Sequence, residues 1–387
     1  MNKTYILPSG FVFILAMLTS ISPLAIDTYL PSFLEMSKYF DVSISSIELT
    51  LSIYLLGFGL GQLIGGPLSD RYGRKTFIIF GIFIYIICSY LITLSTSIEE
   101  FFIYRFLQAI GGGFAVVNTN AIVRDIYHGN KGAKVFSTIS MIMMIAPMIA
   151  PAIGAFIVEY YTWQKVFIFL MFYALVLSYF IFKLPETSPK VKSKNLYENY
   201  IEILKNKKVR FLIFANGFAF SGMFIFIAKS SFIYMDYFHI DTKTFPILFG
   251  LNVFTLILFS RLNIYLLKNN STLNLFKLGI KTQVVCAMIL LLTINLHSLY
   301  LSVILTMFYI GVLGIIFANA ISLLLEDYKH ISATANALNG VLGFVVASMV
   351  GSLASFFHND TLVPIYALML FTSIMSFTLL SIYSLKK

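Results

Sequence analysis

Residues 57–75 read GFGLGQLIGGPLSDRYGRK, an apolar run that ends in a charged turn. Within it Gly57, Gly61 and Gly65 repeat every four residues, which places them on one face of a helix. A stripe of small residues lets a second helix approach closely inside a membrane. Gly73 follows and permits a tight turn into the next apolar run. The stretch therefore predicts two membrane-spanning helices joined by a short charged loop.

The charged turn also carries the residues of a candidate gate. Asp70 lies beside the cations of the turn, where it could also cap the positive N-terminus of a neighbouring helix. Asp125 ends the later segment AIVRD and is expected to pair with Arg74. A network of this kind would latch one conformation and break in the other. The candidate gate residues are Gly66, Asp70, Arg71, Gly73, Arg74, Arg124 and Asp125.

The apolar character extends over the whole chain of 387 residues, of which 59% are apolar and 11% are charged. Soluble domains carry about 25% charged residues, so a soluble enzyme and a disordered chain are both excluded. Runs of about 20 apolar residues span a membrane as helices. We therefore predict an all-α membrane protein with twelve transmembrane helices. Their approximate limits are 10–31, 47–67, 76–96, 101–122, 135–158, 164–184, 210–235, 245–266, 274–296, 299–324, 332–357 and 363–384.

The positive charge is distributed unequally between the two sides of the membrane. Of the 27 Lys and Arg residues, 20 fall in the loops of one side and three in those of the other. This bias predicts that both termini are cytoplasmic, and it explains the net charge of +10 without a nucleic-acid partner. The longest polar stretch, over 185–208, separates six predicted spans before it from six after it. We expect an N-terminal six-helix bundle over 1–184, a cytoplasmic linker over 185–208 and a C-terminal six-helix bundle over 209–387, a common transporter plan.

Asp27 is the only carboxylate that lies clearly within a predicted span, about 17 residues into the first. A charge there is costly, so the group is expected to pair, face water or take up a proton. The alternative is a carboxylate near the outer helix end that merely reaches the lipid headgroups. The balance between burial and a nearby cation would let such a group load and release a proton during transport.

Arg105 lies in the fourth span and shares a helical face with Gln108, three residues on. Its depth is similar to that of Asp27, so the guanidinium could keep that carboxylate ionised. The alternative is that Arg105 extends to the outer interface. Other cations near span ends are expected to do the same. They are Lys229, Arg261 and Lys281.

The fifth span contains MIAPMIAPAIGAF, in which Pro147 and Pro151 are four residues apart and Gly154 follows. Proline removes a backbone donor and bends a helix, and small residues suit a sliding helix interface. An ordinary kinked span is the alternative.

Several chemistries have no sequence signal. The chain has no phosphate-binding loop, so ATP is not the expected energy source. Its two cysteines and five histidines lack metal-ligand spacing, and no Ser-His-Asp or H-E-x-x-H arrangement occurs. We therefore expect neither an enzyme nor a metal or cofactor, and an ion gradient remains as the energy source.

Together these motifs resemble the major facilitator superfamily, and within it the Bcr/CflA group of drug:proton antiporters. GGPLSDRYGRK is similar to the superfamily's signature between the second and third helices, RFLQAIGGG to its helix 4 motif, and APMIAPAIGA to its helix 5 antiporter motif. DTYLP, AIVRD and LPET resemble segments of the Bcr/CflA group. The resemblance extends over most of the chain.

This resemblance implies a transporter that exports small, toxic, drug-like compounds in exchange for protons by alternating access, with bicyclomycin-type efflux as the model. Asp27 would be the proton and substrate acid, Arg105 and Gln108 would couple to it, and Asp70, Arg74 and Asp125 would form the cytoplasmic gate. The protein is expected to be a monomer in the lipid bilayer of the inner (plasma) membrane. Proton-coupled uptake or export of a metabolite or nutrient by the same fold is the alternative.

Overall fold

The computed structural model describes residues 10–127, 129–187, 196–328 and 331–385. Within them it contains helices and no strand, so the predicted all-α class is confirmed. Twelve helical segments of the described chain are long and apolar enough to cross a membrane, as predicted. These spans are Phe11–Phe40, Ile44–Tyr72, Arg74–Leu94, Ile98–Ile126, Lys134–Tyr160, Gln164–Phe182, Lys207–Tyr237, Phe245–Leu266, Thr272–Leu292, Leu299–Asp327, Thr334–Phe356 and Val363–Leu385.

The spans are built from α-helices that we number in chain order over the described residues. They are α1 Phe11–Asp27, α2 Phe33–Phe40, α3 Ile44–Tyr72, α4 Arg74–Leu94, α5 Ile98–Ile126, α6 Gly129–Tyr160, α7 Gln164–Phe182, α8 Leu196–Lys205, α9 Lys207–Ser231, α10 Phe245–Leu266, α11 Thr272–Leu292, α12 Leu299–Gly311, α13 Leu313–Asp327, α14 Ser332–Phe356 and α15 Val363–Leu385.

Some spans are interrupted where the sequence predicts continuous helices. The first span changes from α1 to the 3₁₀ segment Leu30–Ser32 and then to α2. Pro31 lies in that segment, and its missing N–H does not support α-helical hydrogen bonding. The seventh span ends in a π-helical segment, Phe232–Tyr237. Such local changes of helix type free backbone groups and re-aim side chains.

By its internal packing the chain divides into two compact units. The first comprises Met1–Val42 and Ile53–Lys194, and the second comprises Ser43–Ser52 and Asn195–Lys387. The first residues of α3 therefore belong to the second unit, which the sequence does not predict. The predicted linker contains α8, and residues 188–195 lie outside the described residues. Its cytoplasmic location stays a prediction.

In the first unit the glycine stripe of α3 packs closely against another helix, as predicted, and the structure identifies that helix as α5. A Cβ atom at Gly57 would lie 2.6 Å from the backbone oxygen of Phe106, and one at Gly61 would lie 2.6 Å from that of Ile110. Distances this short leave no room for a side chain. The stripe therefore brings the two helix backbones together, and this contact holds the charged turn after α3 near the end of α5.

Candidate functional site

Asp27 is the last residue of α1, and its side chain is buried, with 3% of the residue exposed. Its Oδ1 atom has no hydrogen-bond partner among the described residues. The backbone N–H of Thr28 still donates to Leu24, and the chain then turns into the 3₁₀ segment. The carboxyl group therefore lies at the break within the first span. A buried, incompletely partnered carboxylate is costly in its charged form, and this favours binding of a proton or a cation.

The antiporter motif of α6 packs directly against this break. A Cβ atom at Gly154 would overlap the backbone oxygen of Thr28 and would lie 3.3 Å from Pro31 Cδ. Pro147 and Pro151 lie within α6, which continues as a helix through both. The motif glycine thus makes possible the close contact between α6 and the residue that follows Asp27.

Arg105 is completely buried in α5, so the alternative in which it extends to the membrane interface is wrong. Its Nη1 donates to Gln108 Oε1 at 2.7 Å, and Gln108 Nε2 donates to Ser89 Oγ at 2.7 Å. The predicted shared face of Arg105 and Gln108 is confirmed. These bonds fix the guanidinium in a polar chain that runs from α5 to α4.

Aromatic rings surround the Arg105 guanidinium. Its Cζ atom lies 4.4 Å from the ring centroid of Tyr29 and 4.4 Å from that of Tyr54, with Phe167 at 5.6 Å. A cation over aromatic faces at such distances is stabilised by the ring quadrupoles, more so when it is desolvated. The rings therefore offset part of the cost of burying the charge.

Arg105 approaches Asp27 through the backbone. Its Nη2 donates to the carbonyl oxygen of Ala25 at 3.1 Å, two residues before Asp27, and Arg105 Nε has no partner among the described residues. The described hydrogen bonds and ion pairs do not join the guanidinium to the Asp27 carboxylate. The structure thus brings the two residues to the same end of α1 without the direct pairing considered from the sequence.

The charged turn forms the predicted network around Arg74. Arg74 Nε lies 2.5 Å from Asp125 Oδ2, and Arg74 Nη1 lies 2.9 Å from Asp70 Oδ1. The side chains of Arg74, Asp125 and Asp70 are 10%, 19% and 23% exposed. The predicted pairing of Asp125 with Arg74 is confirmed. One guanidinium therefore joins the ends of α3, α4 and α5.

Glu186 belongs to the same network, and the sequence reasoning did not select it. Its two carboxylate oxygens accept hydrogen bonds from the backbone N–H groups of Arg74, at 2.9 Å, and Lys75, at 3.2 Å. It therefore caps the N-terminus of α4, where an anion is favoured. Gly73 has a φ of 107°, and a Cβ atom there would lie 2.6 Å from Glu186 Oε2. The LPET motif was the available signal, since Thr187 also donates to Asp125 at 3.1 Å.

The other predicted gate residues lie beside this network. The Arg71 guanidinium lies over the ring of Tyr72, with Cζ 5.3 Å from the centroid. Arg124 Nε donates to the backbone oxygen of Asn120 at 3.3 Å. A Cβ atom at Gly66 would meet only a Val117 methyl group at 3.8 Å, so packing does not explain this glycine.

The structure corrects two expectations about charges within the spans. Glu48, in α3, is completely buried, so Asp27 is not the only carboxylate inside a span. Lys229, in α9, is completely buried as well and forms an ion pair with Glu48, so it does not extend to the interface. Among the described residues, no cluster of His, Cys, Asp and Glu could hold a metal ion.

Twelve candidate spans define a multi-pass membrane protein, and a buried carboxylate at a helix break and a charged turn between two spans are features that suit a transporter. The family model that matches is the Major Facilitator Superfamily, over residues 15–352. The chain belongs to that superfamily, as the resemblance of its motifs predicts.

The curated relatives that extend over most of the chain include two resistance proteins. A bicyclomycin resistance protein homolog of Haemophilus influenzae is 32% identical over 94% of this chain and 93% of its own length. A chloramphenicol resistance protein of Pseudomonas aeruginosa is 27% identical over 96% of this chain and 90% of its own. Among solved structures, the nucleoside transporter NupG matches with a TM-score of 0.73 and 15% identity, over 97% of this chain and 98% of that one. At this identity the match with NupG concerns the fold alone.

Proposed function

We propose that this chain exports small, drug-like organic compounds across the inner (plasma) membrane in exchange for protons, by alternating access. Its superfamily membership and the names of its relatives, which refer to resistance to bicyclomycin and to chloramphenicol, support export of such compounds. The distribution of Lys and Arg supports cytoplasmic termini. We expect the protein to act as a monomer that needs no cofactor.

The buried Asp27 carboxylate is the single observation that carries the proposal of proton coupling. Its Oδ1 atom lacks a hydrogen-bond partner among the described residues, and the residue is 3% exposed. Such a group favours its neutral form while it is enclosed and its charged form once water reaches it. Alternate exposure to the two sides would therefore make Asp27 bind a proton on one side and release it on the other.

Arg105 and Gln108 supply the coupling in this proposal. Arg105 is held by Gln108 and by the aromatic rings, and it contacts α1 at Ala25. A change in the charge of Asp27 changes the electrostatic potential at Arg105, whose guanidinium is already bonded to Ala25, two residues before Asp27. When Asp27 ionises, its negative charge attracts the guanidinium, which would then exchange its bond to the Ala25 carbonyl for one to the carboxylate.

The network around Arg74 and the motif of α6 serve the conformational change. Arg74 joins three helix ends through Asp70 and Asp125, and these bonds would break when the cytoplasmic side opens. Gly154 keeps α6 close to α1 at the residue after Asp27. A movement of α6 would therefore be transmitted to the proton site.

Proton-driven export can be tested in inverted membrane vesicles with an acidic interior and labelled chloramphenicol outside. The unaltered protein should accumulate chloramphenicol, and a protonophore should abolish the accumulation. Asp27→Asn should remove the proton-driven component while the protein still reaches the membrane. The matched control is Asp41→Asn, because Asp41 is exposed and has a φ of 53°, which asparagine tolerates. Undiminished proton-driven accumulation in Asp27→Asn would refute the role given to this residue.

The direction of transport in intact cells distinguishes uptake of a metabolite or nutrient from export. An uptake protein would accumulate its solute in intact cells and would leave their susceptibility to drugs unchanged. The names of the relatives favour export. Higher resistance to chloramphenicol or bicyclomycin in cells that overproduce the chain, lost on addition of a protonophore, is the expected result.

A further inference from the structure

The second unit contains a buried ion pair that the proposed mechanism does not use. Lys229 Nζ bonds to Glu48 Oε2, and both side chains are 0% exposed. The other carboxylate oxygen, Glu48 Oε1, is buried and has no hydrogen-bond partner among the described residues. The pair therefore depends on one contact between α3 and α9, residues that are 181 positions apart in the chain. Removing one partner from such a pair leaves an uncompensated charge, which is strongly unfavourable.

A row of titratable groups extends from the Glu48–Lys229 pair to the protein surface. The His358 ring, in the loop between α14 and α15, has its Nδ1 atom 3.4 Å from Lys229 Nζ. Its Nε2 atom lies 3.1 Å from Asp360 Oδ1, and the Asp360 side chain is 90% exposed. Asp236, at the end of the seventh span, also acts electrostatically on both Glu48 and His358. Burial first, and then the charge of Lys229, lower the pKa of His358 below its ordinary value of 6.5, so the ring is mostly neutral at neutral pH.

The face of α14 that packs against the start of α3 carries hydroxyl groups. Ser45 and Glu48 are three residues apart and share a helical face. An open cavity of about 410 Å³ lies between α3 and α14, and four serines and four large apolar side chains line it. They are Ser45, Ser46, Leu49, Met349, Ser352, Leu353, Ser355 and Phe356. The cavity lies about one helical turn from Glu48, and the ion pair itself is enclosed.

We propose that Glu48 is a second proton-binding carboxylate of the transport cycle, kept ionised by Lys229 while the two are in contact. The inference rests on the proposed function, which it deepens by adding a second proton site to Asp27. Separation of Glu48 from Lys229 removes the cation that favours the carboxylate, and a proton from the water at the His358 loop then adds to Glu48. The Lys229 ammonium keeps its own proton and gains water as its partner. Closure of the contact expels the proton from Glu48 and restores the pair.

This site differs from Asp27 in how its charge is controlled. Asp27 responds to exposure, since no described ion pair compensates its charge. Glu48 responds to the contact with Lys229, so its protonation reports whether that contact within the second unit is closed or open. Protonation and separation favour each other, because a neutral Glu48 leaves a buried ammonium that is stable only in water.

The protonation of Glu48 can be measured without any substrate. Purified protein in nanodiscs is titrated with acid while infrared difference spectroscopy follows the carbonyl stretch of protonated carboxyl groups. One component of the band that appears at low pH in the unaltered protein should be missing in Glu48→Gln/Lys229→Met and should persist in Asp27→Asn. In Lys229→Met this component should appear at a higher pH than in the unaltered protein, because the cation that favours the charged carboxylate has been removed.

The double variant removes both charges together, so it avoids the unpaired ammonium that a single Glu48→Gln would leave and that could prevent folding. If its infrared titration equals that of the unaltered protein wherever both are folded, Glu48 does not bind protons and the proposal is wrong. In a second arm, proteoliposomes transport chloramphenicol at set pH gradients, and the reversal point gives the protons exchanged per molecule. The double variant should exchange one proton fewer, and an unchanged number would overturn the coupling. Absence of any chloramphenicol flux in the unaltered protein would count against the proposed function, whereas the infrared result would still decide the protonation of Glu48.

Discussion

Replacing Arg74 by alanine tests the network at the charged turn, and the structure sets the size of the effect. Arg74 makes charge-assisted contacts of 2.5 Å to Asp125 and 2.9 Å to Asp70. Fully exposed pairs contribute about 0.2–1 kcal/mol, and removing one partner of a buried pair costs about 3–5 kcal/mol. The three side chains are 10–23% exposed, so they lie nearer the buried limit. We expect Arg74→Ala to lower the free energy of unfolding by about 2–4 kcal/mol.

The assay and its control follow from the same geometry. Thermal unfolding in nanodiscs, followed by scanning fluorimetry, should show a melting temperature several degrees lower for Arg74→Ala. The backbone bond from Arg74 to Glu186 survives the substitution, so the loss reports the side chain alone. Arg71→Ala is the matched control, because Arg71 is exposed and lies over Tyr72, and it should cost about 0.5 kcal/mol or less.

A double-mutant cycle isolates the pair between Arg74 and Asp125. Arg74→Gln and Asp125→Asn, alone and together, should give a coupling energy of about 1 kcal/mol or more, since contacting charges are not additive. Equal losses for Arg74→Ala and Arg71→Ala, or strict additivity in the cycle, would show that the network does not stabilise the protein in this form.

Three further predictions concern other parts of the molecule. Glu186→Ala removes the acceptor of two backbone N–H groups at the start of α4 and should cost about 1–2 kcal/mol in unfolding experiments, whereas an unchanged melting temperature would contradict the capping role. Gly154→Val should abolish chloramphenicol transport without loss of membrane insertion, because a side chain there overlaps the Thr28 carbonyl; Gly340→Val, where nothing lies within 4 Å, should transport normally. Stability should fall as the pH drops below about 6.5, because the lowered pKa of His358 makes the unfolded chain bind the proton more readily, and His358→Gln should flatten this dependence in thermal unfolding.

The sequence predicts the spans and part of the site because their signals are local. Twelve apolar runs correspond to the twelve spans of the described chain. Arg74 could be paired with Asp125 because the two residues lie at helix ends on the same predicted side, one at the start of α4 and the other near the end of α5. The spacing of Arg105 and Gln108 also gave their shared face correctly.

Contacts between distant segments are not visible in this way. Glu186 caps a helix 112 residues earlier in the chain, and Glu48 pairs with a lysine 181 residues later. Lys229 is close enough to a span end to suggest an interfacial position, and only its buried partner shows otherwise. Arg105 bonds to Ala25 rather than to Asp27 because α1 ends at Asp27, a boundary that lies inside one continuous apolar run.

The two buried carboxylates can therefore be compared through what compensates their charge. Near Asp27, the cation Arg105 bonds to the Ala25 carbonyl and to Gln108, so it can pair with an ionised Asp27 only by giving up bonds that it already makes. At Glu48 the cation is in direct contact, and in our proposal this contact keeps the carboxylate ionised while it lasts. A rise in proton concentration acts on Asp27 whenever water reaches it, but it acts on Glu48 only after the helices part. Removing Lys229 should therefore make Glu48 behave like Asp27, which is the reason that Lys229→Met is the decisive variant of the infrared titration.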